Sequence, residues 1–246
     1  MTTETNTQLR RAVTDEAAAT AYGITTKVAR RKTIPLREIA DDVTAAVEIR
    51  TERLFSASGL GQRACRDGCA YCCYVPRVLV TLPELARIAE AVATWTPEQI
   101  VALRARLETH AAAEASGTAS PSLAPPCALL VDGRCSAYDV RPLVCRGQHA
   151  YDVRECEEHF ETGTSLTRQL TVVLDVAQGA VEGVASALEG VGLRPTLFSL
   201  SRGLLLTLDN PKAISLSAAG LASLASAAPD LGLERRLLRE VARATF

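Results

Sequence analysis

Eight cysteines fall in two groups of four, Cys65, Cys69, Cys72 and Cys73, then Cys127, Cys135, Cys145 and Cys156, and the rest of the 246-residue chain has none. A chain this long buries a sizeable core without covalent staples, so the cysteines do not compensate for small size. Structural free thiols would be scattered over helix faces as small hydrophobes. Disulfides are rare in a reducing compartment, where clustered cysteines bind metal or carry redox chemistry. The clustering points to a shared metal site, which requires the chain to fold back across the 54 residues from Cys73 to Cys127.

Spacing narrows the chemistry. Cys69-x2-Cys72 lets a tight loop turn two thiolates onto one ion, half of a tetrahedral zinc or iron–sulfur site. Cys65, Cys69 and Cys72 together have the C-x3-C-x2-C spacing of radical-enzyme cluster loops. Those enzymes leave one iron open and build on repeated βα units, whereas here Cys73 adds a fourth thiol and helical patterns follow. Neighbouring side chains of an extended segment point apart, so Cys72 and Cys73 imply two nearby sites or one polynuclear centre. His149 and His159, following Cys145 and Cys156 by four and three residues, are further candidate ligands, because zinc accepts mixed shells. His110 reads as structural. Eight thiolates around two divalent ions sum to about −4, costly to bury without donors. Arg63, Arg66, Arg77, Arg134, Arg141 and Arg146 all lie within four residues of a cysteine and offer guanidinium groups to sulfur.

The rest of the chain reads as helix. Alanine and leucine dominate, aromatics are 4%, and Leu36, Ile39, Ala40, Val43, Val47 and Leu54 recur at helical spacing from about Pro35. Glycines in the 56–61 stretch end that segment. Thr81 and Glu84 form a capping box for a helix with Leu85, Ile88, Ala89, Val92 and Trp95 on one face. Thr96, Pro97 and Gln99 start another that runs to about Glu114. Residues 116–126 are a Ser/Ala/Pro-rich connector. Within an otherwise irregular 127–160 stretch, Asp132-Gly133 predicts a hairpin turn. Helices follow at about 165–189, 197–209 and 231–244. The fold class is therefore mainly α, around an irregular cysteine-rich metal-binding centre with at most a short hairpin. Three units are expected: a flexible or helical flank at 1–33, a cysteine-cluster domain at 34–163, and a C-terminal helical region at 164–246, packed on it or used for oligomerisation.

A net charge of −1 and few aromatics argue against nucleic acid. The polar N-terminus has no signal-like apolar region, and the most apolar stretch, "LTVVLDVAQGAVEGVASAL", carries Asp175 and Glu182, so no membrane span is expected and the cytoplasm is the expected compartment. No Ser/His/Asp arrangement, phosphate loop or dinucleotide fingerprint is present, so no catalytic residue is assigned.

"ACRDGCAYCC", "VLVTLPELARIAE" and "CALLVDGRCSAYDVRPLVCRG" together resemble the YkgJ-type cysteine-cluster family, described as a zinc- or iron-chelating CxxCxxCC domain. The matching positions are the first seven cysteines with Thr81, Glu84, Leu85, Gly133, Tyr138, Arg141, Pro142 and Arg146, over about residues 64–160; Ala128 stands where the family usually has Pro. The resemblance implies metal chelation, by zinc or iron and with a 4Fe–4S cluster among the iron options. Two main functions are open, beside metal storage or delivery, which would favour exposed and labile thiolates. One is a metal-binding protein, regulatory or structural, with a protein partner or a second copy on the C-terminal helices. The alternative is an iron-dependent redox or protein-modifying enzyme, with His149 or His159 and Tyr151 near an open coordination position.

Overall fold

The computed structural model describes residues 3–31, 34–57, 64–65, 68–75, 77–116, 125–162, 170–194, 196–221 and 223–228. The helix expected at 231–244, most of the 116–126 connector, and Arg63 and Arg66 lie outside them. Within them the protein is mainly α, with two short two-stranded sheets.

Helix α1 spans Thr3–Ala29 and α2 spans Leu36–Ala57. The face of α2 read from the sequence is the buried one: Leu36, Ile39, Ala40, Val43 and Val47 are in the core, and Leu54 packs against it. Strand β1 (Leu79–Thr81) runs straight into α3 (Leu82–Val92). The Thr81–Glu84 capping box is formed, and Leu85 and Ile88 are fully buried, each contributing about 1.5–3 kcal/mol by leaving water. Helix α4 spans Pro97–Ser116, with Thr96 and Gln99 exchanging cap hydrogen bonds.

The expected hairpin is β2 (Leu130–Val131) paired with β3 (Arg134–Cys135), Leu130 opposite Cys135. Asp132 and Gly133 both have positive φ, 49° and 76°, as a two-residue turn of type I′ requires. The 127–160 stretch is less irregular than its sequence suggests, since α5 (Leu143–Gly147) and α6 (Val153–Thr162) form in it. Val153, Cys156 and Phe160 recur at helical spacing in α6, but the charged residues between them mask the pattern. Phe160 packs on Tyr71 and Tyr74, ring centroids 5.9 and 4.5 Å away, and so holds α6 against the first cysteine segment.

Helix α7 (Thr171–Gly190) lies mostly buried against α1, α5 and α2, most extensively against α1. Gly179 and Gly183 allow this close crossing: a Cβ on either would collide with the carbonyl oxygen of Thr14 or Ala18 on α1. Arg10 of α1 clamps the pair by donating to both carboxylate oxygens of Asp175 at 2.7 and 3.0 Å. By length and composition α7 could cross a membrane, but 61% of its most apolar window is already covered by the protein.

The helix expected at 197–209 starts later. Leu197–Ser199 is strand β4, antiparallel to β1 with Val80 opposite Phe198, and the helix itself, α8, spans Leu200–Asp209. A short α9 (Ala213–Ala218) follows. Ser199 ends the strand by capping α8, accepting from the Arg202 N–H. The β1–β4 ladder lies immediately beyond the first cysteine group and fixes where that group leaves the core.

Candidate metal centre

Seven of the eight cysteines line one cavity of about 380 Å³: Cys65, Cys69, Cys72 and Cys73 from the first segment, Cys127, Cys135 and Cys145 from the second. His149 lines it as well. Cys156 and His159 do not; the Cys156 thiol faces back along its own helix, 3.9 Å from the Asp152 carbonyl oxygen. All eight cysteines are free thiols, Cys72 exposed and the others half-buried.

Local backbone chemistry brings the two segments together. The Cys127 N–H donates to the Cys73 carbonyl at 2.8 Å, and Leu130 N–H closes a turn onto the Cys127 carbonyl at 2.8 Å. The hairpin carries Cys135 back over that turn, where the Ser136 N–H and hydroxyl both reach the Leu129 carbonyl at 2.8 Å. Cys145 sits on α5, whose preceding residue, Pro142, makes no side-chain cap. Glu84 supplies it from elsewhere: one carboxylate oxygen accepts the Leu143 N–H at 2.7 Å, and the other accepts the Thr81 N–H and hydroxyl at 2.8 and 2.7 Å. Burial raises the Glu84 pKa above its ordinary range, and those donors offset only part of the rise.

Arginines frame the mouth. Arg141 stacks on the Tyr138 ring at 3.8 Å, and the buried Arg146 donates to the Arg141 and Asp139 carbonyls and pairs with Glu48 of α2. Arg134, Arg141 and Arg146 line the cavity. Arg77 does not: it pairs with Glu114 of α4 at 2.8 Å. Glu114 also accepts from Ser199 at 2.7 Å, so this pair fastens the chain leaving Cys73 onto α4 and β4. His110 is buried and contributes to the same fastening, as its structural reading implies. Its Nε2 lies 3.0 Å from the Val75 carbonyl, which can only accept, so Nε2 carries the proton; Nδ1 then accepts from the Ser201 hydroxyl at 3.0 Å.

One expectation is corrected by the backbone. Tyr71–Cys73 form a 3₁₀ turn rather than an extended segment, and the adjacent thiols meet instead of diverging. The Cys73 thiol donates to Cys72 sulfur, which lowers the Cys72 pKa to about 7, helped by Arg141, and raises that of Cys73. Burial pushes Cys127 up to about 11 and Cys145 well above the ordinary thiol range. Against that, the Leu129 and Ala137 N–H groups donate to the sulfurs of Cys127 and Cys135, two residues earlier in each case. The Ala150 N–H donates to Cys65 sulfur at 3.4 Å.

Among the described residues no three Cys, His, Asp or Glu side chains stand together where they could hold a metal ion. The donor set nevertheless fits a thiophilic ion: soft sulfurs, backbone N–H groups aimed at them and guanidinium groups nearby all favour the thiolate form that zinc or iron requires. Sequence reasoning missed Glu84 as the residue that seats α5; its place in a capping box was the available signal, but its second oxygen serves a segment 59 residues away.

Residues 64–164 match the model of a family described as "CxxCxxCC: Putative zinc- or iron-chelating domain". No curated protein and no solved structure matches the chain.

Proposed function

We propose, for a chain whose residues 64–164 match the model of the CxxCxxCC family, that it binds zinc or iron in the seven-cysteine cavity and uses it structurally. The observation that carries this reading is the convergence of thiols from two segments 54 residues apart on a single cavity. Scattered structural thiols would not meet there, and none is paired in a disulfide. A structural role is supported by what the cavity joins: cysteines of the 64–73 stretch, of the hairpin and of α5 all line it. In such sites the free energy of metal binding becomes free energy of folding. A reducing compartment, the cytoplasm, would keep the thiols available.

The test is the metal content of the full chain purified aerobically and anaerobically from zinc- and iron-supplemented cultures. Retained zinc in a colourless protein, with a melting temperature that falls on chelation, is expected. A chain that carries no metal from any preparation, and melts identically with and without chelator, would overturn the proposal. A brown protein bleached by reductant would replace the zinc reading with an iron–sulfur one.

A further inference from the structure

Three arginines meet around one backbone turn beside the cysteines, and carboxylates already answer two of them. Helix α2 carries Asp41, Thr44 and Glu48 at spacings of three and four, hence on one face. Arg87 of α3 pairs with Asp41 at 2.9 Å and donates to the Thr44 hydroxyl at 2.9 Å. Arg146 of α5 pairs with Glu48. Both arginines then donate to one acceptor, the Asp139 carbonyl oxygen, Arg87 doing so at 3.2 Å. Arg146 Nε adds a bond to the Arg141 carbonyl at 3.1 Å. The 3₁₀ turn at Tyr138–Val140 is thereby fastened from behind, through two guanidinium groups that are themselves anchored on α2.

What this turn delivers is the side chain of Arg141. Its guanidinium lies 3.8 Å over the Tyr138 ring and donates to the Tyr138 carbonyl at 3.2 Å. No carboxylate among the described residues pairs with it. Arg141 and Tyr138 line the cysteine cavity, and Arg87 does not. The Arg141 charge acts on sulfur from both cysteine groups, lowering the pKa of Cys72 and of Cys135. A guanidinium held flat on a ring, with no carboxylate to spend its charge on, directs that charge at the thiols.

We infer that Arg141 is the counter-charge of the cysteine cavity, and that Arg87 is a positioning residue for it, acting with Arg146 through the Asp139 carbonyl. The cavity mouth therefore favours anionic over uncharged visitors. A consequence rests on the metal-binding reading above: thiolates gathered on an ion carry net negative charge, and Arg141 offsets it, so its loss loosens the ion.

Two measurements on the full chain test this. In reduced, metal-free protein the exposed Cys72 reacts with a dianionic aromatic disulfide and, separately, with an uncharged one. The ratio of the two rates cancels the ionisation of the thiol and reports the local field. It should fall several-fold in Arg141→Gln and in Arg87→Ala, and stay near wild type in Arg141→Lys and Tyr138→Phe, which keep the charge and the ring. A variant that is merely loosened opens its thiols to both reagents and leaves the ratio unmoved. Arg87→Ala combined with Arg141→Gln should fall no further than Arg141→Gln alone, because the two residues act as one unit. In zinc-loaded protein, affinity in chelator competition should drop by roughly 10–100-fold in Arg141→Gln. An unchanged ratio in Arg141→Gln would overturn the counter-charge, and an additive fall in the double variant would overturn the positioning by Arg87. A zinc-binding wild type whose Arg141→Gln form holds zinc as tightly would overturn the consequence and leave metal binding standing. A wild type that binds no zinc or iron would overturn the metal reading, with the reagent ratio still deciding the counter-charge.

Discussion

The Glu84 carboxylate accepts the Leu143 backbone N–H at 2.7 Å, so the residue that starts α3 also starts the helix bearing Cys145. Replacing Glu84 by Ala strands the Leu143 N–H in a buried place, a cost of about 1–3 kcal/mol. Because α5 then loses its seat, metal affinity should fall by roughly 10–100-fold, the usual effect of deleting an outer partner of a ligand. Glu84→Gln keeps one carbonyl acceptor and should fall between. Denaturant titration and chelator competition read the two effects; unchanged affinity in Glu84→Ala would show that Cys145 is positioned by other means.

His110→Ala should separate stability from metal binding. The substitution leaves the Val75 carbonyl and Ser201 hydroxyl without their shared partner, costing about 1–3 kcal/mol. Ser201→Ala removes one of those bonds and should cost about 0.5–1.5 kcal/mol. Metal stoichiometry should match wild type in both. A lost ion in His110→Ala would make this histidine part of the centre.

The α1–α7 crossing has no room for a methyl group at Gly183. Gly183→Ala should destabilise by about 1–3 kcal/mol as the helices are forced apart. Gly190 gives an internal control, because a Cβ there would meet only the Tyr22 hydroxyl at 3.9 Å. Gly190→Ala should stay within about 0.5 kcal/mol of wild type. Thermal melts of the two variants settle the difference.

Metal uptake should release protons and tighten with pH. Burial holds Cys127 at about 11 and Cys145 well above the ordinary range, so both are protonated in the metal-free protein at neutral pH, while Cys72, lowered to about 7, gives up its proton more readily. Ligation requires thiolates, so each buried thiol surrenders its proton. Apparent zinc affinity should rise from pH 6 to pH 9, and calorimetry in buffers of different ionisation enthalpy should show that release. Affinity independent of pH would mean the thiols are already ionised before metal arrives.

Much of the fold was legible because its signals are local. The buried stripe of α2, the Thr81–Glu84 box and the Asp132-Gly133 turn all lie within one or two turns of chain, where side-chain chemistry acts directly on the neighbouring backbone. The β1–β4 ladder is different: three residues on each side, pairing partners more than 110 positions apart, and apolar runs that fit a helix start as well as a strand. Helix α6 was hidden by its charged residues, and Phe160 against Tyr71 and Tyr74 reveals which face matters. The cysteine grouping announced a centre; that Cys72 and Cys73 meet rather than diverge depended on a 3₁₀ turn that no spacing rule encodes.

The pairing of α1 with α7 sets an order of events during synthesis. Helix α1 ends at residue 29 and α7 begins at residue 171, so the ribosome adds about 140 residues, some 7–30 s of elongation, before α1 can meet its partner. All eight cysteines emerge in that interval. The nascent chain therefore presents its thiols before α7 can reach α1, and metal capture can precede that crossing.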